Sequence, residues 1–439
     1  MSKAQLQLAL SDVQKVRSWY QENRIYERYK LSPIWIMNLD KWFNRLFSED
    51  LSKAEAKDLL GFLHDKAFFD VSVPNPQLSH ALDWFQNFLA RKGWGLGSLP
   101  EQLQESALFS DDRCAVRDGR RVSTDFLWRL SLIERLGRTV PLSDRKTTVL
   151  ELGSGSGNFA RAFKLLHPNA TYICIDLPES LFFANLYLYA NFPDARILYV
   201  SEPDQTIGTL SDYDFVFIPT EFATCLTGRS IDLFVNMNSM GEMTNEVIDH
   251  WFDFIQNKVN VRDIFLLNRF LNRIDPNESA HRREESSCSL HLDEWWEILD
   301  WEVDPDFERS PYVTTLITRN LLVIARRNRD ASLRSKTTDE VLARLPAVGR
   351  EDWAMRPYWD DYVLKTGGKY PPLNSRADLN FTLDLTKTGS LSTLWEAFRL
   401  MRSANSARLL WTWMEVHGGL QTPFEELFFL QKVICGPAA

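Results

Sequence analysis

Cysteine is scarce and scattered: five in 439 residues, at Cys114, Cys174, Cys225, Cys288 and Cys435, with no C-x-x-C pair among them. An odd, dispersed set argues against a disulfide framework and lacks zinc-ligand spacing. No apolar run approaches the roughly 18 residues of a membrane-spanning helix, so no membrane span is expected. The first residues lack the basic-then-apolar order of a secretory signal, which makes a cytoplasmic location the expectation. A basic patch is missing too. The formal charge is -9, which disfavours nucleic acid as a partner, because phosphate binding depends on clustered Lys and Arg. The short run Arg326-Arg327-Asn328-Arg329 reads as a solvated strand end or linker.

What is present suits an ordinary globular protein: 44% hydrophobic and 25% charged residues, in a chain long enough for two or three domains. Fifteen tryptophans serve core packing or, alternatively, offer stacking platforms for sugar rings. Up to about Arg138 the pattern is helical. Ser52-Lys53-Ala54-Glu55 is a capping-box signature, Leu82, Phe85, Phe88 and Leu89 share one helical face, and Arg121–Leu136 reads as a last helix. From Lys146 the pattern changes to strand, helix, strand, which indicates a parallel sheet with crossover helices. Strands are predicted at Val149–Leu152, Tyr172–Ile175, Asp214–Ile218, Ile231–Val235 and Ile264–Leu267, with Ile197–Val200 as an extra short one. Helices are predicted from Pro178, a favourable first-turn proline, from Asn245, and over Leu292–Leu299. Trp301–Val303 with Leu316–Ala325 would close the sheet as an antiparallel pair. The domains expected are a helical N-terminal cap (1–140), an α/β domain (141–330) and a mainly helical C-terminal region (331–439).

The most informative run is Val149-Leu150-Glu151-Leu152-Gly153-Ser154-Gly155-Ser156-Gly157-Asn158. It reads as a strand entering a glycine turn and then a helix. Alternate glycines let the backbone bend sharply and approach a ligand with no Cβ in the way. Asp176 ends the next strand, where a carboxylate about 20 residues beyond such a turn can hold a ribose diol. The alternative is a tight strand-to-helix corner without a ligand. A dinucleotide fingerprint needs a third glycine at position 158, which is Asn158. The G-x-G-x-G form after Glu151 is instead similar to the first motif of S-adenosylmethionine-dependent methyltransferases. Seven strands with a final hairpin match the class I methyltransferase sheet, which is Rossmann-like.

Ligands of such sheets lie outside the carboxyl ends of the strands. There the chain reads Ile175-Asp176-Leu177-Pro178-Glu179, Phe217-Ile218-Pro219, Asn236-Met237-Asn238-Ser239-Met240-Gly241-Glu242-Met243 and Asn268-Arg269. This combination resembles a bacterial family of sugar O-methyltransferases associated with surface polysaccharides and glycosylated natural products. The resemblance spans roughly Arg121 to Arg327, and Asn236–Met243 is its most discriminating piece. It implies S-adenosyl-L-methionine as donor and a sugar or glycan hydroxyl as acceptor. It also implies a donor site at Glu151, Gly153, Ser154, Gly155, Gly157, Asp176, Leu177, Ile218, Pro219 and Asn236. A non-sugar secondary metabolite as acceptor, or a cofactor-binding assembly module without turnover, are the rival readings.

A sugar hydroxyl attacks well only when a base accepts its proton. Glu242, nearest the mouth of the fourth main strand, is the nominated base, or else favours a helix N-terminus. Asn238 and Ser239 read hydroxyls or satisfy a local turn. Asn268 and Arg269 line the other side of the cleft, unless Arg269 pairs with a surface acid. His281, in the polar insertion Asn277–Ser289, is a second catalytic candidate; His250 reads as exposed or packing. Arg121 and Ser123 are candidates for the methionine carboxylate. No metal is indicated, because the mouth offers amides and a single Glu. The flanking regions are expected to shape the acceptor site or a dimer interface of a homo-oligomer.

Overall fold

The structure, a computed structural model, describes residues 3–28, 39, 43–48, 59, 82–83, 85–87, 89–109, 113–142, 146–243, 245–269, 295–303 and 320–327. Helix α1 (Lys3–Glu22) opens the chain, followed by short helices α2 (Ile25–Arg28) and α3 (Asn44–Ser48). Strands β1 (Ala115–Arg117) and β2 (Arg120–Val122) form a small hairpin. Helix α4 (Thr124–Thr139) then leads into the alternating region. There β3 (Thr148–Leu152), α5 (Asn158–Leu166), β4 (Thr171–Asp176) and α6 (Pro178–Asn191) follow one another, then β5 (Ile197–Tyr199) and β6 (Phe215–Pro219). The chain continues through β7 (Ser230–Met237), α7 (Asn245–Asp253), β8 (Asn260–Arg269), β9 (Trp296–Val303) and β10 (Asn320–Arg327).

One eight-stranded sheet runs in the order β5-β6-β4-β3-β7-β8-β10-β9. Strands β5 to β8 pair in parallel, and β10 is antiparallel to both β8 and β9. This is the mixed α/β sheet, mostly parallel, that the strand–helix alternation foretells, closed by its antiparallel pair. Ile197–Tyr199 supplies the eighth strand, at the edge beyond the expected seven. The order reverses at β3: the chain moves outward through β4 to the edge strand β5, comes back one place to β6 between them, then crosses to lay β7 on the other side of β3. Such a reversal leaves a crevice above the strand ends where ligands bind.

Period-two alternation divides the core into two layers. Val149, Tyr172, Cys174, Phe217 and Val235 face helices α4, α5 and α6. Leu150, Leu152, Ile173, Ile175, Ile218 and Phe234 face α7 and the turn after β6. Helix α1 belongs to both: Leu6, Ala9, Leu10 and Val13 pack in the first layer, Val16 and Tyr20 in the second. The N-terminal helix is thus fused to the sheet's hydrophobic core. Arg17 Nε donates to Glu179 Oε1 at 2.7 Å, and so does the Tyr26 hydroxyl. Glu179, on the first turn of α6, is 1% exposed.

Two elements differ from the pattern read along the chain. The Leu292–Leu299 helix is corrected to strand over Trp296–Val303, with residues 292–294 outside the described ones. The alternation there fits either period, but β10 offers an open backbone edge, and Trp296 is buried with its indole N–H on Gln256 Oε1. The helix foreseen from Arg121 starts instead at Thr124. Asp118 (φ 48°) and Gly119 (φ 74°) make a two-residue hairpin turn that holds Arg120–Val122 in a strand. Ser123 then caps α4 by accepting from the Phe126 N–H. The Ser52 capping box, and every element foreseen in 331–439, lie outside the described residues.

Replacing Arg17 with Ala leaves a buried carboxylate with Tyr26 as its remaining anchor. The variant is expected to lose roughly 2 kcal/mol, less than for a fully buried pair. An unchanged urea midpoint would show that α1 is held by apolar packing alone.

Candidate functional site

The glycine turn sits at the strand-order reversal. Gly153, Gly155 and Gly157 all have positive φ, at 74°, 54° and 82°. At Gly153 the requirement is also spatial: a Cβ there would stand 2.1 Å from Ser239 Oγ. Gly153 N–H still reaches back to the Ile175 carbonyl at 2.7 Å, so the turn begins inside the sheet's hydrogen bonding. Gly157 then caps α5, a helix start whose first-turn N–H groups have no intrahelical partner.

Asp176 fastens this turn to β4. Its Oδ2 accepts from Gly155 N–H at 2.8 Å and its Oδ1 from Leu177 N–H at 2.7 Å. Each oxygen keeps a second lone pair. Burial pushes the carboxyl up to about 7; the two backbone N–H groups and the Ser180 hydroxyl pull the other way, and the nearby Glu242 carboxylate adds to the rise. Pro219 is in register with Asp176 on the neighbouring strand, and Ile218 is fully buried. Leu177 is half-buried at the strand mouth.

Glu151 lies lower, on the face of β3 that meets α4. Tyr172 donates its hydroxyl to Glu151 Oε2 at 2.8 Å. Burial pushes this carboxyl up to about 8, against that hydrogen bond and the attraction of Arg129. Near neutral pH Glu151 therefore tends to hold its proton.

After β7 the chain turns sharply, with Asn238 at φ 60° and its N–H on the Leu267 carbonyl. Amides organise this turn. Asn236 donates to the Leu152 carbonyl at 2.8 Å and to Ser239 Oγ at 2.6 Å, and accepts from Asn268 Nδ2 at 2.8 Å. Ser239 Oγ in turn donates to the Leu152 carbonyl. Asn236, Ser239 and Asn268 thus form a buried ladder joining the ends of β3, β7 and β8. Glu242 ends a short 3-10 turn (Met240–Glu242), half-buried and close enough to Asp176 to raise its pKa. The structure therefore brings the glycine turn, Asp176, Asn238 and Glu242 to one mouth.

Arg269 ends β8, directly after Asn268 of the ladder and in register with Asn320; the remaining candidates lie elsewhere. His250 is exposed on α7, edge-on to Trp251. Arg121 braces the carbonyls of Ser106 and Phe109, and Ser123 is the α4 cap and also donates to Glu105. Both take part in local structure. His281 lies outside the described residues. Among those described, no group of three His, Cys, Asp or Glu is placed to hold a metal, and no helix is long and apolar enough to cross a membrane. Sequence reasoning passed over Arg129, one helical turn beyond Asp125. Its signal was only a cation on the helix leading into β3.

No family model matches the chain, and no curated protein matches it. Among solved structures, the magnesium protoporphyrin IX methyltransferase of Synechocystis PCC 6803 with bound SAM is 13% identical. That match covers 46% of this chain and 80% of the other, with a TM-score of 0.30. A plantazolicin methyltransferase in complex with SAH is also 13% identical, covering 47% and 84%, at 0.31. A mitomycin 7-O-methyltransferase is 12% identical, covering 46% of this chain and 56% of its own, at 0.28.

Gly153→Ala is expected to destabilise by about 2–4 kcal/mol, from left-handed strain plus overlap with Ser239. Adding Ser239→Gly should recover the overlap part but not the backbone part; a denaturation series on the two single variants and the double checks both. Glu151 has a second signature. Between the ordinary carboxylate range and about pH 8 the folded chain keeps a proton that the unfolded chain has released, so stability falls as pH rises through that window. The slope contributed is on the order of 1 kcal/mol per pH unit. Glu151→Gln should remove it, which melting curves from pH 5 to 8 would detect.

Proposed function

We propose that this protein is an S-adenosyl-L-methionine-dependent O-methyltransferase whose acceptor is a sugar hydroxyl. The observation that carries the donor assignment is the positive-φ glycine turn, tied to the strand-end Asp176 at the point where strand order reverses. The residues fit the donor: a Cβ-free turn, first-turn N–H groups of a helix, and a carboxylate with free lone pairs. Gly153, Ser154, Gly155 and Gly157 would lie under the donor, Asp176 would take the ribose hydroxyls, and Leu177, Ile218 and Pro219 would flank the base. The donor supplies an electrophilic methyl group. Asn236, which the resemblance assigns to the donor, acts in this reading by holding the turn, and so do Ser239 and Asn268.

Positioning contributes much of the acceleration in a methyl displacement, because the attacking oxygen must lie in line with the leaving group. Among the described residues, Asn238, held in an unusual backbone conformation, and Glu242 are the candidates to orient the hydroxyl. Glu242 accepts its proton or fixes its direction. The sugar acceptor itself rests on the likeness of Asn236–Met243 to the sugar-modifying family.

Calorimetry with S-adenosylmethionine and S-adenosylhomocysteine tests the donor half. Binding is expected, and Asp176→Ala should weaken it by about tenfold or more; no binding by the folded wild type overturns the reading. Transfer of labelled methyl into the source cell's glycan extract tests the acceptor. Label in the glycan fraction, reduced by about 100-fold in Glu242→Gln, supports both assignments. Label confined to non-sugar small molecules would replace the sugar, and an unaffected variant would remove Glu242.

A further inference from the structure

Toward the end of α1 the seam between the N-terminal helix and the sheet becomes polar, and its contacts fall beside two adjacent strand ends. The Tyr20 side chain is fully buried; its hydroxyl exchanges a hydrogen bond with Thr220 Oγ1 at 2.9 Å and accepts from Glu221 N–H at 3.0 Å. Thr220 follows directly on Pro219, the last residue of β6, which is in register with Asp176 at the end of β4. Arg17 Nε and the Tyr26 hydroxyl both donate to Glu179 Oε1 at 2.7 Å. Glu179 stands on the first turn of α6, two residues beyond Leu177, whose N–H is held by Asp176 Oδ1 and whose carbonyl accepts from Leu181 N–H. Arg17 is itself aimed from α3: Nη2 donates to Asn44 Oδ1 at 2.7 Å, and Cζ lies 4.5 Å from the centre of the Phe47 ring.

Stability alone is a poor reason for these contacts. Ring packing does not need the Tyr20 hydroxyl, since phenylalanine would meet Trp19, Tyr26 and Phe222 in the same way. A buried ion pair often stabilises no more than apolar side chains of the same volume. This one is also incomplete: Glu179 is 1% exposed, and its Oε2 has no hydrogen-bond partner among the described residues. Tyr199 Oη, near enough to Glu179 and Tyr20 to feel both, is in the same condition. Directed hydrogen bonds supply orientation, which apolar contact does not. Here they orient the backbone that leaves β6 and the helical turn whose N-cap residue binds Asp176.

We infer that α1 and α2 clasp the nucleoside end of the donor site, with Arg17, Tyr20 and Tyr26 as positioning residues. They set the ends of β4 and β6 and do not touch the donor. The inference rests on the donor proposed above and gives the N-terminal segment a part in donor affinity.

Calorimetry on the full chain tests it with S-adenosylhomocysteine and 5′-methylthioadenosine, which share the nucleoside and differ in the amino-acid tail. Tyr20→Phe keeps the ring and removes only the hydroxyl. It is expected to weaken both compounds by the same factor of about ten, because the strand ends serve the part the two share. Arg17→Gln should act alike, and Arg17→Lys, which keeps the charge, should recover part of the loss. Near-ultraviolet circular dichroism reports whether each variant is folded. Wild-type affinity in a folded Tyr20→Phe or Arg17→Gln overturns the clasp and leaves α1 as packing, as does a loss confined to S-adenosylhomocysteine. Should Tyr20→Phe fail to fold, Arg17→Gln and Tyr26→Phe are read in the same way. Wild type binding neither compound is a different failure: it overturns the donor proposal itself, and this inference with it.

Discussion

The contact between the glycine turn after β3 and the bend after β7 constrains everything around it. Ser239 occupies the volume that any side chain at position 153 would need. Asn236 holds Ser239 there while bonding the Leu152 carbonyl, and Asn268 holds Asn236 from the next strand. Three strand ends are therefore locked to one another by amides and backbone hydrogen bonds. The arrangement leaves Gly155 free to meet Asp176 and leaves Asn238 in a left-handed conformation that costs free energy by itself. Rigid backbone at a strand-order reversal is what a precise ligand site requires.

Charge is managed differently on the two sides of the turn. Asp176 sits where backbone N–H groups favour its ionised form, though burial and Glu242 oppose it. Glu151, one strand over, has a phenol and a more distant guanidinium, and burial prevails. On adjacent strands beside the same loop, both carboxyls are pushed up by burial, Asp176 to about 7 and Glu151 to about 8.

The N-terminal helix is an integral wall. Tyr20 exchanges a hydrogen bond with Thr220 and accepts from the Glu221 N–H, immediately after β6. Arg17 and Tyr26 converge on Glu179, three residues beyond Asp176. Trp19 meets Phe222 edge-on. These contacts tie α1 and α2 to α6 and to the segment after β6, so the tryptophan and tyrosine content here serves packing against the sheet domain. The amphipathic pattern of α1 announces a buried face; its sharing of two core layers does not show in the pattern.

Local signals decided a good deal. Alternating apolar runs flanking Gly153, Gly155 and Gly157 specify a strand, a turn and a helix, because only glycine tolerates those φ values at no cost. Pro178 and the acidic Asp176 mark the next strand-to-helix passage, and the β-branched and aromatic runs at 215–219 and 230–237 mark two more strands. Tertiary structure alone decided the rest. Trp296–Val303 became a strand because β10 offered it a partner. Asn236 and Asn268, which look like ligand-reading amides along the chain, bond each other, since their strands are neighbours in space. Arg129 gained its place beside Met237 at the end of β7 from the packing of α4 on the sheet, a relation between residues 108 apart. Periodicity and glycine chemistry act over a few residues and can be read there, whereas hydrogen-bond partners and buried charge depend on which strands and helices meet.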